Sequence, residues 1–113
     1  MVNSIKKNED FQLIYRLGKS YANKYLVMYV KKNENETGRL GISVSKKVGN
    51  SVVRHRLSRL IRESYRLNVE KFHSGWDIIV VARQNAKGKD FRDIESAVMH
   101  LAKLHKLLCE EKN

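Results

Sequence analysis

The 113-residue chain has no proline and a single cysteine, Cys109. Without proline, and with only six glycines, it lacks the Pro/Gly-rich stretches that mark linkers, so residues 1–113 are expected to form one domain. A lone cysteine forms no internal disulfide and builds no cysteine zinc site, which makes the cytoplasm the expected compartment. No apolar run approaches the roughly 18–20 residues that cross a bilayer. The first ten residues carry lysines with no apolar stretch behind them, so no secretory signal is expected. Acidic side chains are scarce: 12 against 23 basic ones, for a net charge of +11. Hydrophobic residues make up 42% of the chain, too many for a basic disordered tail. A small folded domain with this excess calls for a polyanionic partner: RNA, DNA or an anionic membrane surface.

The excess is concentrated. Residues 46–66 hold Lys46, Lys47, Arg54, Arg56, Arg59, Arg62 and Arg66 against Glu63 alone, more than half of the net charge in under a fifth of the chain. Such clustering points to a binding surface.

Hydrophobic periodicity predicts the order α-β-β-α-β-α, an α+β sandwich with helices on one sheet face. Residues 8–17 read as a short helix, with Phe11, Ile14 and Tyr15 on one side and Gly18 as its stop. Residues 21–31 read as one strand, Tyr25, Val27 and Tyr29 facing one way and Leu26, Met28 and Val30 the other. Residues 32–38 form a polar turn. Residues 39–45 alternate Leu40, Ile42 and Val44 inward with Arg39, Gly41, Ser43 and Ser45 outward, a half-buried strand with an open face. After a basic loop at 46–49, residues 51–68 read as a helix, 76–83 as an apolar strand, and 90–108 as a long helix striped by Phe91, Ile94, Val98, Leu101, Leu104 and Leu108.

The helix over 51–68 carries the strongest signal. Stepping about 100° per residue from Val53 gathers Leu57, Leu60, Ile61 and Ser64 into a buried stripe and puts His55, Arg59, Arg62 and Arg66 opposite. Arg54 and Arg56 flank the stripe. A solvated helix normally intersperses acids to form i, i+4 pairs, and here Glu63 stands alone. Arginine outnumbers lysine five to none within the helix, which suits forked phosphate contacts. The preceding Lys46, Lys47, Gly49 and Asn50 lead into free N–H groups at a helix start, where a phosphate can sit; a plain strand-to-helix turn capped by Asn50 fits equally well. The aromatics also admit two readings. Phe11, Tyr15, Tyr25 and Tyr29 could line a groove for unstacked RNA bases, with Ser43 and Ser45 on the same open face, or they could fill a core.

Enzymatic chemistry is poorly supported. His55, His73, His100 and His105 fall into no H-E-x-x-H pattern, Cys109 has no evident base, and Asp90, Asp93 and Glu95 read as acids complementing a helix dipole. No catalytic and no metal-ligating residue is assigned.

The run from Gly41 to Arg66, G-I-S-V-S-K-K-V-G-N-S-V-V-R-H-R-L-S-R-L-I-R-E-S-Y-R, resembles the signature of the bacterial ribonuclease P protein subunit. The resemblance extends to N-E-D-F at residues 8–11, A-N-x-x-x-V-x-Y at 22–29 and I-I-V-V-A-R at 78–83. It implies the small protein partner of a catalytic RNA that removes the 5′ leader from precursor tRNA. Active site and Mg²⁺ would belong mainly to the RNA, and the protein alone would be inactive. The implied fold is a two-layer α/β sandwich with a left-handed β-α-β crossover and four strands, so residues 21–31 could break in two. The implied contacts to the catalytic RNA are Arg54, Arg56, Arg59 and Arg62, with Lys46 and Lys47; the reading of the loop and helix face adds Asn50, His55 and Arg66. Those to the leader are Phe11, Tyr15 and Tyr29; the reading of the strand faces adds Tyr25, Ser43 and Ser45. The implied partners are the catalytic RNA and precursor tRNA, with neither membrane nor DNA.

Two positions depart from the family pattern. His55 stands in place of the Asn of R-N-R, and Ser58 in place of a frequent Lys. The basic arm before Asn8 is also short. The rival readings are a ribosomal-type structural RNA-binding protein and a nuclease in its own right; the latter needs clustered carboxylates that the sequence does not offer.

Overall fold

The computed structural model describes residues 2–109. Its elements are α1 (Asn8–Leu17), β1 (Lys19–Ala22), β2 (Leu26–Lys32), β3 (Arg39–Ser43), α2 (Ser51–Asn68), β4 (Trp76–Ala82) and α3 (Phe91–Leu104). The four strands form one mixed sheet in the order β1-β2-β4-β3. β2 runs antiparallel to both β1 and β4, while β3 and β4 are parallel and joined through α2. This is the β-α-β crossover of an α+β sandwich.

The stretch 21–31 is two strands. Asn23 breaks it: its side-chain Oδ1 accepts the N–H groups of Tyr25 (3.2 Å) and Leu26 (3.0 Å), and its own N–H reaches the Leu26 carbonyl at 2.9 Å. An Asx turn of this kind satisfies the backbone locally and reverses the chain. β1 therefore starts earlier than the alternation suggests and pairs back onto β2, Tyr21 opposite Met28.

The predicted single helical layer needs correction. Leu26, Met28, Val30, Leu40, Ile78 and Val80 point to one face, where Leu57 and Ile61 of α2 and Ile94, Val98 and Leu101 of α3 cover them. α1 lies on the other face. There Ile14 and Ile5 bury Ile79, with Phe11, Tyr15, Tyr29 and Val81 packed around them. Strand alternation produces this split, since Ile79 and Val81 necessarily face away from Ile78 and Val80. Gly18 lets α1 turn into β1: a Cβ there would stand 2.5 Å from the Ile14 carbonyl oxygen and 2.9 Å from that of Val30.

α3 ends four residues sooner than its apolar stripe implies. His105 closes the helix, and Lys106 takes a left-handed conformation with φ of 59°. The Lys106 N–H donates to the Lys103 carbonyl at 3.0 Å and the Leu107 N–H to that of Ala102 at 2.9 Å, the paired bonds of a Schellman stop. Leu107 swings into the core with no exposure, while Leu104 stays 41% exposed. Burial pushes the His105 imidazole pKa down, and its Nε2 lies 2.9 Å from the Met28 carbonyl oxygen.

Before α1, residues 3–5 pair along the outer edge of β3. The Ile5 N–H donates to the Leu40 carbonyl at 2.9 Å, and the Leu40 N–H to that of Asn3 at 2.8 Å.

Candidate nucleic-acid interface

α2 begins with its side-chain cap in place: Asn50 Oδ1 accepts the Val53 N–H at 3.0 Å. Asn50 is thus engaged in holding the helix start, one of its four orphan N–H groups satisfied internally. The helix buries Leu57, Ile61, Ser64, Tyr65 and Asn68. Within it, the Ser64 hydroxyl donates to the Leu60 carbonyl at 2.7 Å. Asn68 Nδ2 donates to the Ser64 carbonyl at 2.7 Å and to Glu95 of α3 at 3.0 Å, locking the two helices together.

That anchoring fixes which side meets solvent. His55, Arg56, Arg59, Arg62 and Arg66 are all exposed, as are Lys46 and Lys47 in the loop before the helix. Among the described residues, the one ion pair on α2 joins Arg66 to Glu63. Arg62 donates to the Ser4 hydroxyl at 3.0 Å, while Arg56 and Arg59 have no acidic partner among the described residues. Arg54 is half-buried, and its Nε has no hydrogen-bond partner. Uncompensated cations along one helix face form a positive surface suited in sign to a polyanion.

The opposite sheet face carries the aromatics. Across the strands, residues in register form rows: Lys31–Asp77–Arg39, then Ser20–Tyr29–Ile79–Gly41, then Ala22–Val27–Val81–Ser43. α1 crosses the first two. Asp10 meets Arg39 at 3.4 Å, Phe11 sits over Gly41, and Tyr15 stands edge-on to Tyr29 with 4.9 Å between ring centroids. The third row stays uncovered. Ala22 is exposed, and Val27, Val81 and Ser43 are half-buried. Phe11, Tyr15 and Tyr29 are half-buried too: each ring leans on the small core with one side and borders the groove with the other. These three rings thus pack on the small core and keep part of their surface exposed beside the open row.

An ion-pair network closes the first row. Arg39 donates from Nε to Asp77 Oδ1 at 2.9 Å and from NH2 to Oδ2 at 2.6 Å, and Asn33 adds a bond to Oδ1 at 2.8 Å. Burial would raise the Asp77 pKa, but the hydrogen bonds from Arg39 and Asn33 outweigh it and hold the carboxyl below its usual range.

Two residues fall elsewhere than the sequence placed them, or were missed. Tyr25 precedes β2, where the Asn23 turn redirects it, and it packs against the α2–α3 side of the core instead of beside Tyr29. Arg83 was read only as a strand end. Because β3 and β4 are parallel, their carboxyl ends meet, and Arg83, Gln84 and Asn85 line a polar cleft of about 360 Å³ with Ser45 and Lys47. The signal that could have found Arg83 is its place after β4: the ends of parallel strands gather ligand-facing loops. Ser45 is exposed and joins this cleft to the open row through Ser43.

Among the described residues no three His, Cys, Asp or Glu side chains stand close enough to hold a metal ion together, and no helix is long and apolar enough to cross a membrane.

Comparison with known proteins shows the family and the fold. The family model for ribonuclease P matches residues 2–106. The ribonuclease P protein component of Lachnoclostridium phytofermentans is 65% identical over 108 residues, covering 96% of this chain and 93% of the relative. That of Clostridium botulinum is 55% identical over 102 residues, covering 89% and 92%. Among solved structures, the Staphylococcus aureus RNase P protein superposes with a TM-score of 0.88 at 43% identity, covering 96% of this chain and all of the other. The Thermotoga maritima protein gives 0.83 at 33% identity, covering 90% and 96%. With the whole fold and nearly the whole sequence shared, the chain belongs to the ribonuclease P protein family.

Proposed function

We propose that this chain docks on the ribonuclease P RNA through the arginine face of α2 and holds the 5′ leader of precursor tRNA in the groove beside α1. One observation carries the reading: unpaired cations on α2 and an uncovered aromatic-edged row on the opposite sheet face belong to the same rigid sandwich. The two surfaces thus address two RNA strands at once. Arg56, Arg59 and Arg62, with Lys46 and Lys47, supply the phosphate contacts. Phe11, Tyr15 and Tyr29 offer ring faces to leader bases, while Val27, Val81 and Ser43 form the floor.

In this reading the Mg²⁺ ions are carried mainly by the RNA subunit, and the protein supplies no catalytic residue. The contribution of the protein is positional: it binds the leader only when the leader is present, which favours substrate over mature tRNA. The cytoplasm, where precursor tRNA is made, is the compartment this role requires.

The test is leader removal from precursor tRNA by the purified protein, by the RNA subunit, and by both together with Mg²⁺. Cleavage is expected to require the RNA subunit and to be promoted by the protein. Cleavage by RNA-free protein would overturn the reading, and binding to the RNA subunit without any effect on cleavage would favour a purely structural RNA-binding role.

A further inference from the structure

A second aromatic with its own cations lies outside the groove. The ammonium groups of Lys24 and Lys89 stand 6.0 and 5.3 Å from the centroid of the Tyr25 ring. Neither lysine takes part in an ion pair among the described residues. Arg83 joins the group: its N–H donates to the Tyr25 carbonyl at 2.8 Å, and its guanidinium donates to the Asn23 carbonyl at 2.8 Å. Asn23 in turn reaches α3, its Nδ2 donating to the Ala97 carbonyl at 3.0 Å. The turn, the ring and three cations are therefore one braced unit. Beside the ring opens a cleft of about 240 Å³ with Asn23, Ser96 and His100 as polar lining and Asp93 as its one acid.

The position of this unit relative to the groove gives it meaning. The uncovered row runs from Ser43 on β3, next to the loop that enters α2, to Ala22 on β1. Ala22 leads into the Asn23 turn, which carries the chain round the end of the β1–β2 hairpin to Lys24 and Tyr25 on the α3 side, so a leader that leaves the row over Ala22 passes round this end to reach them. Four strands at about 4.8 Å spacing make the row roughly 14 Å long. A base-stacked strand advances about 3.4 Å per nucleotide, and an unstacked one more, so the row holds at most about four nucleotides. If the catalytic RNA docks on α2, the cleaved end of the leader lies at the Ser43 end, and the rest leaves the groove over Ala22.

We infer that Tyr25, flanked by Lys24 and Lys89, is an outer station for leader nucleotides that extend beyond the groove. The inference rests on the proposed leader reading and extends it to substrate length. Phosphates draw the two ammonium groups off the ring, and a base stacks on the face they uncover; stacking on tyrosine tolerates any base. The station distinguishes long leaders from short ones and does not depend on leader sequence.

The experiment uses the enzyme reconstituted with its RNA subunit and two precursors, with leaders of about three and about ten nucleotides, one shorter and one longer than the row. Tyr25→Ala is expected to weaken binding of the long-leader precursor by about fivefold or more and to leave the short-leader precursor unchanged, while Tyr25→Phe retains wild-type affinity. Since Tyr25 also packs on the core, Lys24→Gln with Lys89→Gln is measured too. This pair keeps the ring in place, and is expected to weaken only the long leader and to flatten its salt dependence. Tyr29→Ala serves as the control for the groove and should weaken both precursors. If it weakens neither, the groove reading itself fails. If Tyr29→Ala acts but the Tyr25 and lysine variants do not, the outer station alone is refuted. Equal loss for both leader lengths, or loss of affinity for the RNA subunit, would likewise overturn it.

Discussion

The ring of Phe11 rests on the bare backbone of Gly41: a Cβ at position 41 would stand 2.8 Å from Phe11 Cζ and 3.1 Å from Cε1, with Ile5 Cβ at 3.3 Å behind. This approach sets how low α1 rides over the sheet, and so how wide the groove opens. Gly41→Ala forces the ring and α1 outward. Overpacking of this kind costs about 1–3 kcal/mol. The expected outcome is a lower melting temperature and weaker precursor binding with unchanged affinity for the RNA subunit, read by thermal unfolding and two titrations.

Arg59 and Arg62 are exposed on α2, and the proposed function gives both a phosphate contact. Replacing both with Ala should weaken binding to the RNA subunit and reduce the log–log salt slope by roughly one unit per lost contact. Arg62 also holds Ser4, a contact at an exposed site, so melting should change little. An unchanged slope in the folded double variant would remove these arginines from the interface.

Tyr29→Ala separates substrate from product. Losing one base stack is worth about 1–3 kcal/mol, on the order of fivefold to a hundredfold in affinity. Precursor binding should fall by this factor and mature tRNA binding should not. Equal loss for both, together with a lowered melting temperature, would make Tyr29 a packing residue only.

The Arg39–Asp77 pair makes stability depend on pH. The folded Asp77 carboxyl titrates below its usual value of 3.8, so the unfolded chain binds the proton first. The pair's stabilisation is complete above the ordinary carboxylate range and is lost as pH falls through it to the folded pKa. Asp77→Asn should lower stability at neutral pH by about 1–3 kcal/mol and blunt the acid dependence. Melting curves from neutral to acid pH, compared between the two proteins, check both.

Lys106 offers a test of the α3 stop. An L-residue in the left-handed region costs roughly 1–2 kcal/mol, and glycine avoids this at an entropic cost of about 0.5–1 kcal/mol. Lys106→Gly should therefore raise stability by up to about 1 kcal/mol with RNA binding unaffected.

These residues also show where a linear sequence is informative. α2 was legible at both ends because three signals agree there: the Asn50 cap, the stripe from Val53 to Ser64, and a run of arginines on the other side. α1 was legible because Gly18 stops it where its apolar spacing stops. The β1–β2 break was not, since it depends on one Asn side chain turning back on its own backbone, and apolar alternation runs through it uninterrupted. The end of α3 misled for a related reason: Leu108 keeps helical phase with Leu101 and Leu104, whereas Leu107 is the residue that enters the core. Tyr25 shared the parity of Tyr29, but parity has no meaning across a turn. Arg83 became visible only once β3 and β4 were known to be parallel neighbours. The placement of α1 on the face opposite α2 followed from no periodicity at all, because both helices are amphipathic in the same way.

The strand order carries a consequence for how the protein is made. β4 lies between β2 and β3, and β3 has no other strand of the sheet to pair with. On a ribosome, β1 and β2 can form a hairpin early, but β3 emerges with no sheet partner until residue 82 has been synthesised. The N-terminal segment is in the same position, since residues 3–5 lie against an edge that β4 must first stabilise. Three quarters of the chain, including the arginines of α2, is therefore synthesised before the sheet can close. Until β4 is available α2, with its arginines, has no closed sheet to pack on, and pairing of β4 with β3 converts a loose polycation into a surface of defined shape.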